Sequence, residues 1–354
     1  MRKMKSFNEV FEDKTKYGTK IKTSEYCEMG AHLIIDQGQE QVAGYTDIEE
    51  GVFEEVPVII FGDHTRVIKY VDKPFFLGAD GVKVLRSKFK NANYKYLYYA
   101  LKNARIPNTG YNRHFKWLKE VQIEYPDYRR QENVVKILDK VSDLIETRQH
   151  EIKRLDDLIK ARFVEMFDGK YPEDTLLNLC NIIDYRGKTP KKVERGLPFI
   201  TAKNVKMHHM TLEPLEYISK ETYDKVMVRG FPKEGDVVFT TEAPLGNVCR
   251  IPHFNTEFYI GQRIVTMQTE ELNPTYLEYA LSAEEFIRKY MGNSSGSTVI
   301  GIRVRLLEQL TIQVPPRGLQ DEFAIFVEQV DKSKLMFQKL HQKLNILRQK
   351  AGDI

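Results

Sequence analysis

The sequence predicts an α+β protein in which two mixed α/β globular parts are separated by two long helices. The helices are expected to form an antiparallel coiled coil, the whole being a pseudo-twofold internal repeat. Three observations lead there. The segment Leu118 to Leu158 recurs without a gap as Leu307 to Leu347, 189 residues further on, matching Ile123/Ile312, Pro126/Pro315, Gln131/Gln320, Val141/Val330 and Leu155/Leu344. Upstream, Tyr96-Leu97-Tyr98-Tyr99-Ala100-Leu101 recurs as Tyr276-Leu277-Glu278-Tyr279-Ala280-Leu281 at an offset of 180, so the second copy carries nine extra residues between these blocks. Finally, each copy ends in a heptad rhythm too long for the core of a small domain.

The expected boundaries are 1–126 and 169–315 for the globular parts, and 127–168 and 316–354 for the helical segments. The first globular part offers strands at His32 to Ile35, Val56 to Phe61, Arg66 to Val71 and Gly81 to Leu85. The second offers Phe199 to Thr201, Asp236 to Thr240 and Gln262 to Met267. All are rich in β-branched residues and lack a regular βαβ rhythm. Phe75 to Gly78 parallels Phe258 to Gly261, and Gly30 to Ile34 parallels Gly196 to Ile200. The first long helix is expected from about Gln131 to Met166, with Val134, Leu138, Val141, Ile145, Ile152, Leu155, Ile159 and Met166 on its seam and Arg148 and Arg162 interrupting it. The second runs from about Gln320 to Gln349, with Phe323, Phe326, Val330, Ser333, Phe337, Leu340, Leu344 and Leu347 on its seam and Lys334 and His341 beside it. Two seams in one repeated chain are expected to pair with each other; the alternative is that each helix packs only on its own globular part.

With 42% hydrophobic and 29% charged residues the chain is globular. Its longest purely apolar run, Val56 to Phe61, is too short to span a bilayer, and the N-terminus lacks a secretory apolar stretch, so the expected location is the cytoplasm. Cys27, Cys180 and Cys249 are scattered and odd in number, and are expected to be reduced, buried thiols.

The net charge of +4 conceals a strong polarity. Thr23 to Thr65 holds ten acidic residues and no Lys or Arg, whereas Arg66 to Lys119 holds thirteen Lys or Arg against Asp72 and Asp80. In the second copy, Arg186 to Lys206 holds seven basic residues against Glu194. Two basic stretches in a duplicated chain point to two polyanion contacts, the alternative being that they merely solvate a surface.

The signatures of catalysis are missing. The nearest approach to a methyltransferase Asn-Pro-Pro-Tyr loop is Asn273-Pro274-Thr275-Tyr276, and its counterpart Asn93-Tyr94-Lys95-Tyr96 keeps Asn and Tyr ahead of a helix, as a helix N-cap does. Nuclease-like carboxylates around Asp63 and Asp236 are not shared between the copies. There is no Gly-x-Ser-x-Gly elbow, phosphate-binding Gly-Lys-Ser/Thr loop or His-x-x-x-His pair. Neither catalytic nor metal-ligating residues are assigned, and a binding protein is expected.

Polar loops are the candidates for DNA contact. Tyr17, Lys20 and Lys22 in the first copy match Tyr185, Arg186, Lys188, Thr189 and Lys191 in the second, aromatic and basic residues interleaving as in phosphate clamps. His64, Thr65 and Arg66 follow an apolar strand that can aim them at base edges, with Lys69 beyond. Asn108, Tyr111, Asn112 and Arg113 are replaced in the second copy by the longer loop of Asn293, Ser294, Ser295, Ser297 and Thr298. Lys203, Asn204, Thr241 and Arg263 complete the set. Structural turns are the alternative for each loop.

The order globular part, helix, globular part, helix resembles the specificity subunit of a type I restriction-modification system over essentially the whole chain. The resemblance rests on Leu118-Lys119-Glu120-Val121-Gln122-Ile123 leading to Pro126 and Gln131, its copy Leu307 to Ile312 leading to Pro315-Pro316 and Gln320, and Gly62-Asp63-His64-Thr65-Arg66 followed by Leu77-Gly78-Ala79-Asp80-Gly81. It implies two target-recognition domains, each reading half of a bipartite double-stranded DNA target, with the helices as a ruler for the unread spacer. It also implies two modification subunits that methylate adenine at N6 with AdoMet and, where present, restriction subunits using ATP and Mg, this chain binding no cofactor itself. The acidic stretch Asp47 to Glu55, unsuited to phosphates, is expected to face a partner subunit. A self-contained nuclease acting on two half-sites and a coiled-coil scaffold that never meets DNA are the competing readings. Cleavage by the pure chain with magnesium would favour the nuclease, and absence of salt-dependent DNA binding even with the partner subunits present would favour the scaffold.

Overall fold

The computed structural model describes residues 3–78, 80–110, 112–187, 190–296 and 300–352. The chain divides into two compact units, residues 1–149 with 338–354, and residues 150–337.

In the first unit the elements are β1 (Met4–Ser6), α1 (Phe7–Val10), β2 (Phe11–Asp13), β3 (His32–Ile35), β4 (Gly44–Thr46), β5 (Val58–Gly62), β6 (Ile68–Val71), β7 (Phe75–Leu77), β8 (Val82–Ser87), α2 (Tyr94–Lys102), α3 (Phe115–Leu118) and β9 (Gln122–Glu124). The helix α4 (Tyr128–Phe167) begins in this unit. A four-stranded antiparallel sheet in the order β2-β8-β5-β6 lies beside a three-stranded sheet β4-β3-β7, whose β3–β7 pair is parallel. Successive residues of β5 face opposite ways, as a strand requires. Ile59 and Phe61 join the core under α1, α2 and α3, whereas Val58 and Ile60 join the core shared with Ile35, Phe75 and Leu77. Each of these fully buried side chains contributes roughly 1.5–3 kcal/mol relative to exposure.

The second unit continues with β10 (Glu173–Thr175), α5 (Leu176–Leu179), β11 (Asn181–Asp184), β12 (Lys192–Val193), β13 (Leu197–Ile200), β14 (Val205–Lys206), β15 (His209–Met210), β16 (Glu216–Ile218) and α6 (Lys220–Val226). Beyond these come β17 (Val237–Thr240), β18 (Val248–Arg250), β19 (Tyr259–Ile260), β20 (Ile264–Gln268), α7 (Pro274–Ser282), α8 (Glu284–Gly292), α9 (Val304–Leu307), β21 (Thr311–Gln313) and α10 (Arg317–Gly352). The sheet order β11-β20-β17-β18 reproduces β2-β8-β5-β6, and β16-β13-β19 reproduces β4-β3-β7, again with one parallel pair. Val237 and Phe239 face one core while Val238 faces another, as in β5.

Each unit is closed by its first strand pairing antiparallel with the strand that precedes its long helix: Met4 opposite Glu124, and Glu173 opposite Gln313. The hydrogen bonds of the repeat are kept individually. Tyr96 Oη donates to the Glu124 carbonyl and Tyr276 Oη to the Gln313 carbonyl, both at 2.7 Å. Gln131 Nε2 donates to the Pro126 carbonyl at 2.9 Å and Gln320 Nε2 to the Pro315 carbonyl at 2.8 Å. Asn93 and Asn273 both accept backbone N–H bonds as N-caps, of α2 and α7, the role expected from their sequence context.

The long helices exceed their expected spans by three residues at each end of α10, and by three at the start and one at the end of α4. Along α4, Leu138, Ile145, Ile159 and Phe167 are buried, and no predicted seam residue is fully exposed. Within the second unit the two helices run antiparallel: Asp156 accepts from Lys334 at 2.8 Å and Arg162 donates to Glu322 at 2.9 Å, so the partner number falls as α4 advances. Phe163 meets Phe323 edge-on at 5.4 Å in the same seam. On α10 the seam departs from expectation at Ser333, which is exposed. Lys334 takes the inward place, its ammonium satisfied by Asp156 and Asp331 at 2.8 Å each. Leu347 belongs to the part of α10 whose side chains lie outside the described residues.

Other expectations need correction. The strand alignment of Gly30 to Ile34 with Gly196 to Ile200 is displaced by one residue. Ile35 and Ile200 hold equivalent places, their carbonyls accepting from Gly78 and Gly261 at 2.8 Å each. A one-residue slip reverses every facing in a strand, so the pairing decides it. The nine extra residues of the second copy do not simply lengthen a loop, because helix α8 stands there. Cys27 is exposed, while burial pushes the Cys180 and Cys249 thiols up to about 12. Among the described residues no helix is long and apolar enough to cross a membrane.

Candidate nucleic-acid interface

In the first unit, the loop after β5 rests on a buried polar base. The Asp63 N–H donates to the Gly81 carbonyl at 2.7 Å, and its carboxylate accepts from the Phe115 N–H at 2.7 Å at the start of α3. The fully buried His114 donates its backbone N–H to the Asp63 carbonyl at 2.8 Å. Above this base stand half-buried His64 and Arg66 and exposed Thr65. Arg66 has a left-handed backbone, φ 63°, that costs a non-glycine residue about 1–2 kcal/mol, and its guanidinium donates to the Ile106 carbonyl at 3.3 Å.

The neighbouring loops converge on the same place. Lys20 Nζ donates to the Asp80 carboxylate at 2.5 Å. That bond, with the charges of Lys20 and Arg113, holds Asp80 below the usual carboxylate range. Gln37, which follows β3, joins loop 62–66 to residue 80. Its Oε1 accepts from the His64 N–H at 3.1 Å, its Nε2 donates to the Asp80 carbonyl at 2.9 Å, and its carbonyl accepts from the Thr65 hydroxyl at 2.6 Å. Lys20, His64, Thr65, Arg66 and Arg113 therefore share one surface. Tyr17 is exposed on the approach to it, with the Lys14 and Lys16 ammoniums 5.2 and 4.8 Å from its ring centre, and Lys22 is exposed as well. Asn108 and Asn112 are exposed and make local turn bonds to Gly110 and Thr109.

The second unit keeps the backbone bonds of this base, without the carboxylate, and changes the loops. Thr241 occupies the place of Asp63, its N–H donating to the Arg263 carbonyl at 2.9 Å and its carbonyl accepting from Ile302 at 3.0 Å. Exposed Arg263 pairs with Glu242 at 2.8 Å, and Ser295 exchanges two 3.0 Å bonds with Gly301 beside them. Asn293 and Ser294 bond locally to the carbonyls of Lys289 and Met291 at 2.8 Å each. Arg186 stands in the loop after β11, held by the Asp184 carboxylate at 2.9 Å, with Lys191 and Lys203 exposed elsewhere.

Four candidate residues are interior. Lys69 is 2% exposed, and although Asp36 at 3.4 Å opposes the effect, burial draws its ammonium below its ordinary value. Tyr185 is buried with its hydroxyl on the Gly230 carbonyl. Asn204 spends its whole amide inside the fold, accepting from Thr201 and donating to the Thr211 and Pro214 carbonyls. Thr241 is 3% exposed. In this conformation none of the four presents its side chain to solvent. Tyr111, Lys188, Thr189, Ser297 and Thr298 lie outside the described residues. Gln37, Asp80 and Glu242 were not foreseen as part of these surfaces. The signal for Gln37 was the same as for Gly62 to Arg66, a polar turn directly after an apolar strand.

The family model for the type I restriction modification DNA specificity domain matches residues 3–156 and again 173–347. The chain belongs to that family. Among specificity-domain proteins it is 26% identical over 217 residues to the type I restriction enzyme EcoR124I/EcoR124II specificity subunit of Escherichia coli, covering 55% of this chain. The match spans 53% of that protein, about half the length of the relative. The fold is similar to the type I restriction-modification S subunit from M. genitalium, with a TM-score of 0.56, 16% identity, and 99% of this chain and 95% of that one covered. It is also similar to a chain solved in work on complex assembly and conformational transition of the type I R-M system, at a TM-score of 0.54, 18% identity, and coverage of 99% and 96%.

Proposed function

We propose that this chain is the DNA-recognition subunit of a type I restriction-modification system, without catalysis of its own. Each unit reads one half of a bipartite duplex target. Half-buried Arg66 and the exposed cations Lys20, Lys22, Arg113, Arg186, Lys191, Lys203 and Arg263 supply phosphate contacts that position the protein and make binding salt-dependent. His64, Thr65, Asn108, Asn112, Asn293, Ser294 and Ser295 are the small hydrogen-bonding groups available for base edges. Two modification subunits carrying AdoMet methylate adenine at N6 where this chain directs them, and restriction subunits using ATP and Mg join where the system has them.

The observation that carries the reading is one scaffold built twice, with the same sheet order and matching closing bonds but different loop chemistry on each copy, in a chain that the specificity-domain model matches twice. A body that needed two identical contacts would have no reason to change the loops alone. Expression of the chain with its modification subunit, followed by mapping of methylated adenines, tests it. A bipartite motif with an unread spacer is expected. Methylation without such a motif, or cleavage of DNA by the pure chain with magnesium, would sink the reading.

A further inference from the structure

Gln37 makes three hydrogen bonds that tie two loops of the first unit's basic surface together, loop 62–66 through His64 and Thr65 and the turn after β7 through Asp80. Both loops are also packed onto it. A Cβ on Gly81 would sit 2.8 Å from Gln37 Oε1, and one on Gly62 would sit 2.9 Å from Gln37 Cβ, so the backbone approaches as closely as glycine allows. The Lys20 to Asp80 bond hangs from the same turn, so the cation's position depends on it too. In the second unit the residue in register is Ala202, two beyond Ile200 as Gln37 is two beyond Ile35. Its methyl cannot make these bonds, and Arg263 and Glu242 stand by the corresponding loops instead.

Base discrimination requires side chains held to within about 0.5 Å, which exposed loops reach only when something else fixes them. Resting on the recognition reading above, we infer that Gln37 is the positioning residue of the first unit's DNA-reading surface. It touches no base itself; it locks His64, Thr65 and the Lys20–Asp80 pair into one rigid reader, and sequence discrimination in one half-site depends on it while the other half-site does not.

The full chain, expressed with its modification subunit as wild type, Gln37→Ala and Gln37→Glu, decides this by adenine-methylation mapping. Gln37→Glu keeps the size and the acceptor for His64 but sets a carboxylate oxygen against the Asp80 carbonyl, so it tests the bond even if the alanine variant folds poorly. For both variants, methylation at sites with one wrong base in the half read by residues 1–126, relative to the cognate site, is expected to rise at least about fivefold. The other half should keep its wild-type stringency. Simple loss of folded protein lowers all sites together and leaves that ratio unmoved. An unchanged motif in either folded variant, or relaxation of the opposite half, overturns the inference. A wild-type chain that directs no bipartite motif instead overturns the recognition reading beneath it.

Discussion

The two units share a core set of closing bonds in their frameworks and arm their surfaces with different ones. Tyr96 and Tyr276, Gln131 and Gln320, and Asn93 and Asn273 all bond to backbone atoms, and a backbone partner survives any change in the surrounding side chains. At the loops the bonding side chains themselves differ between the copies: Gln37, on the backbone of His64 and Asp80, and Lys20, on the Asp80 carboxylate, in one; Arg263 and Glu242 in the other. The scaffold is therefore preserved where both copies keep the bonding side chain, and the loops diverge where they do not.

The largest test of that separation exchanges a whole globular part. Replacing residues 1–126 with the equivalent part of a relative is expected to change one half of the methylated motif completely and leave the other intact. If both halves change together, the units do not read independently. Next in size are Arg66→Ala and Arg263→Ala, which remove one cation from each copy. Each is expected to weaken DNA binding by about 1–3 kcal/mol where it contacts a base, and by less, with a shallower salt slope, where it contacts a phosphate. The double variant should equal the sum within about 0.5 kcal/mol. Strong coupling in titrations of the assembled complex would mean that both arginines serve one site.

The scaffold makes the opposite prediction, of equal costs. Tyr96→Phe and Tyr276→Phe each remove one buried hydroxyl bond to a backbone carbonyl, about 1 kcal/mol apiece. Hydrogen exchange in β9 and β21 reports each loss in its own unit. The second should be somewhat larger because Tyr276 is 1% exposed against 7% for Tyr96, leaving its orphaned carbonyl drier. A several-fold inequality in the other direction would show that the matching bonds do not carry matching loads.

What the sequence made legible followed the same division. Long helices announce themselves through many repeats of one period, and the predicted strands lie within two residues of their observed starts because apolar runs mark them. Strands of three to five residues contain too few alternations to fix register, which is why the β3 and β13 alignment slipped. The same shortage hid the interior positions of Lys69, Asn204 and Thr241, where a polar residue is buried because its partner comes from a distant segment. Gln37 stood in a visible polar turn after an apolar strand, but its role was unreadable for that reason as well. Its significance lies in Asp80 and His64, which are distant in sequence and have no spacing rule that joins them.

The smallest expected effect concerns a lock that, among the described residues, only the second unit possesses. Glu173 occupies the β10 position equivalent to Met4 on β1, and its carboxylate accepts from Lys289 at 2.8 and 2.9 Å and from the Thr311 hydroxyl. Lys289 comes from α8, the helix within the nine extra residues, so the first unit has no counterpart. The bonds from Lys289 and Thr311 hold Glu173 below its ordinary 4.5, against the opposing effect of burial. Burial pulls the Lys289 ammonium down, but its bonds to Glu173 and Glu285 prevail and leave it raised. A carboxylate with a depressed folded value binds protons less readily than in the unfolded chain. Its stabilisation is therefore fully present above the unfolded value and fades as pH falls through the folded one. Lys289, raised when folded, contributes below its unfolded value near 10.5 and loses that contribution only as pH rises through its folded value. From neutral pH down to about 4.5 the lock is intact, and more acid conditions should release it. Glu173→Gln should lower hydrogen-exchange protection of β10 and β21 modestly at neutral pH, the site being partly exposed and screened. The difference from wild type should shrink below the carboxylate range, while β1 and β9 show no such dependence. A difference that persists undiminished into strong acid would mean that Glu173 acts by shape or neutral hydrogen bonding, and that its charge contributes nothing to holding the second unit closed.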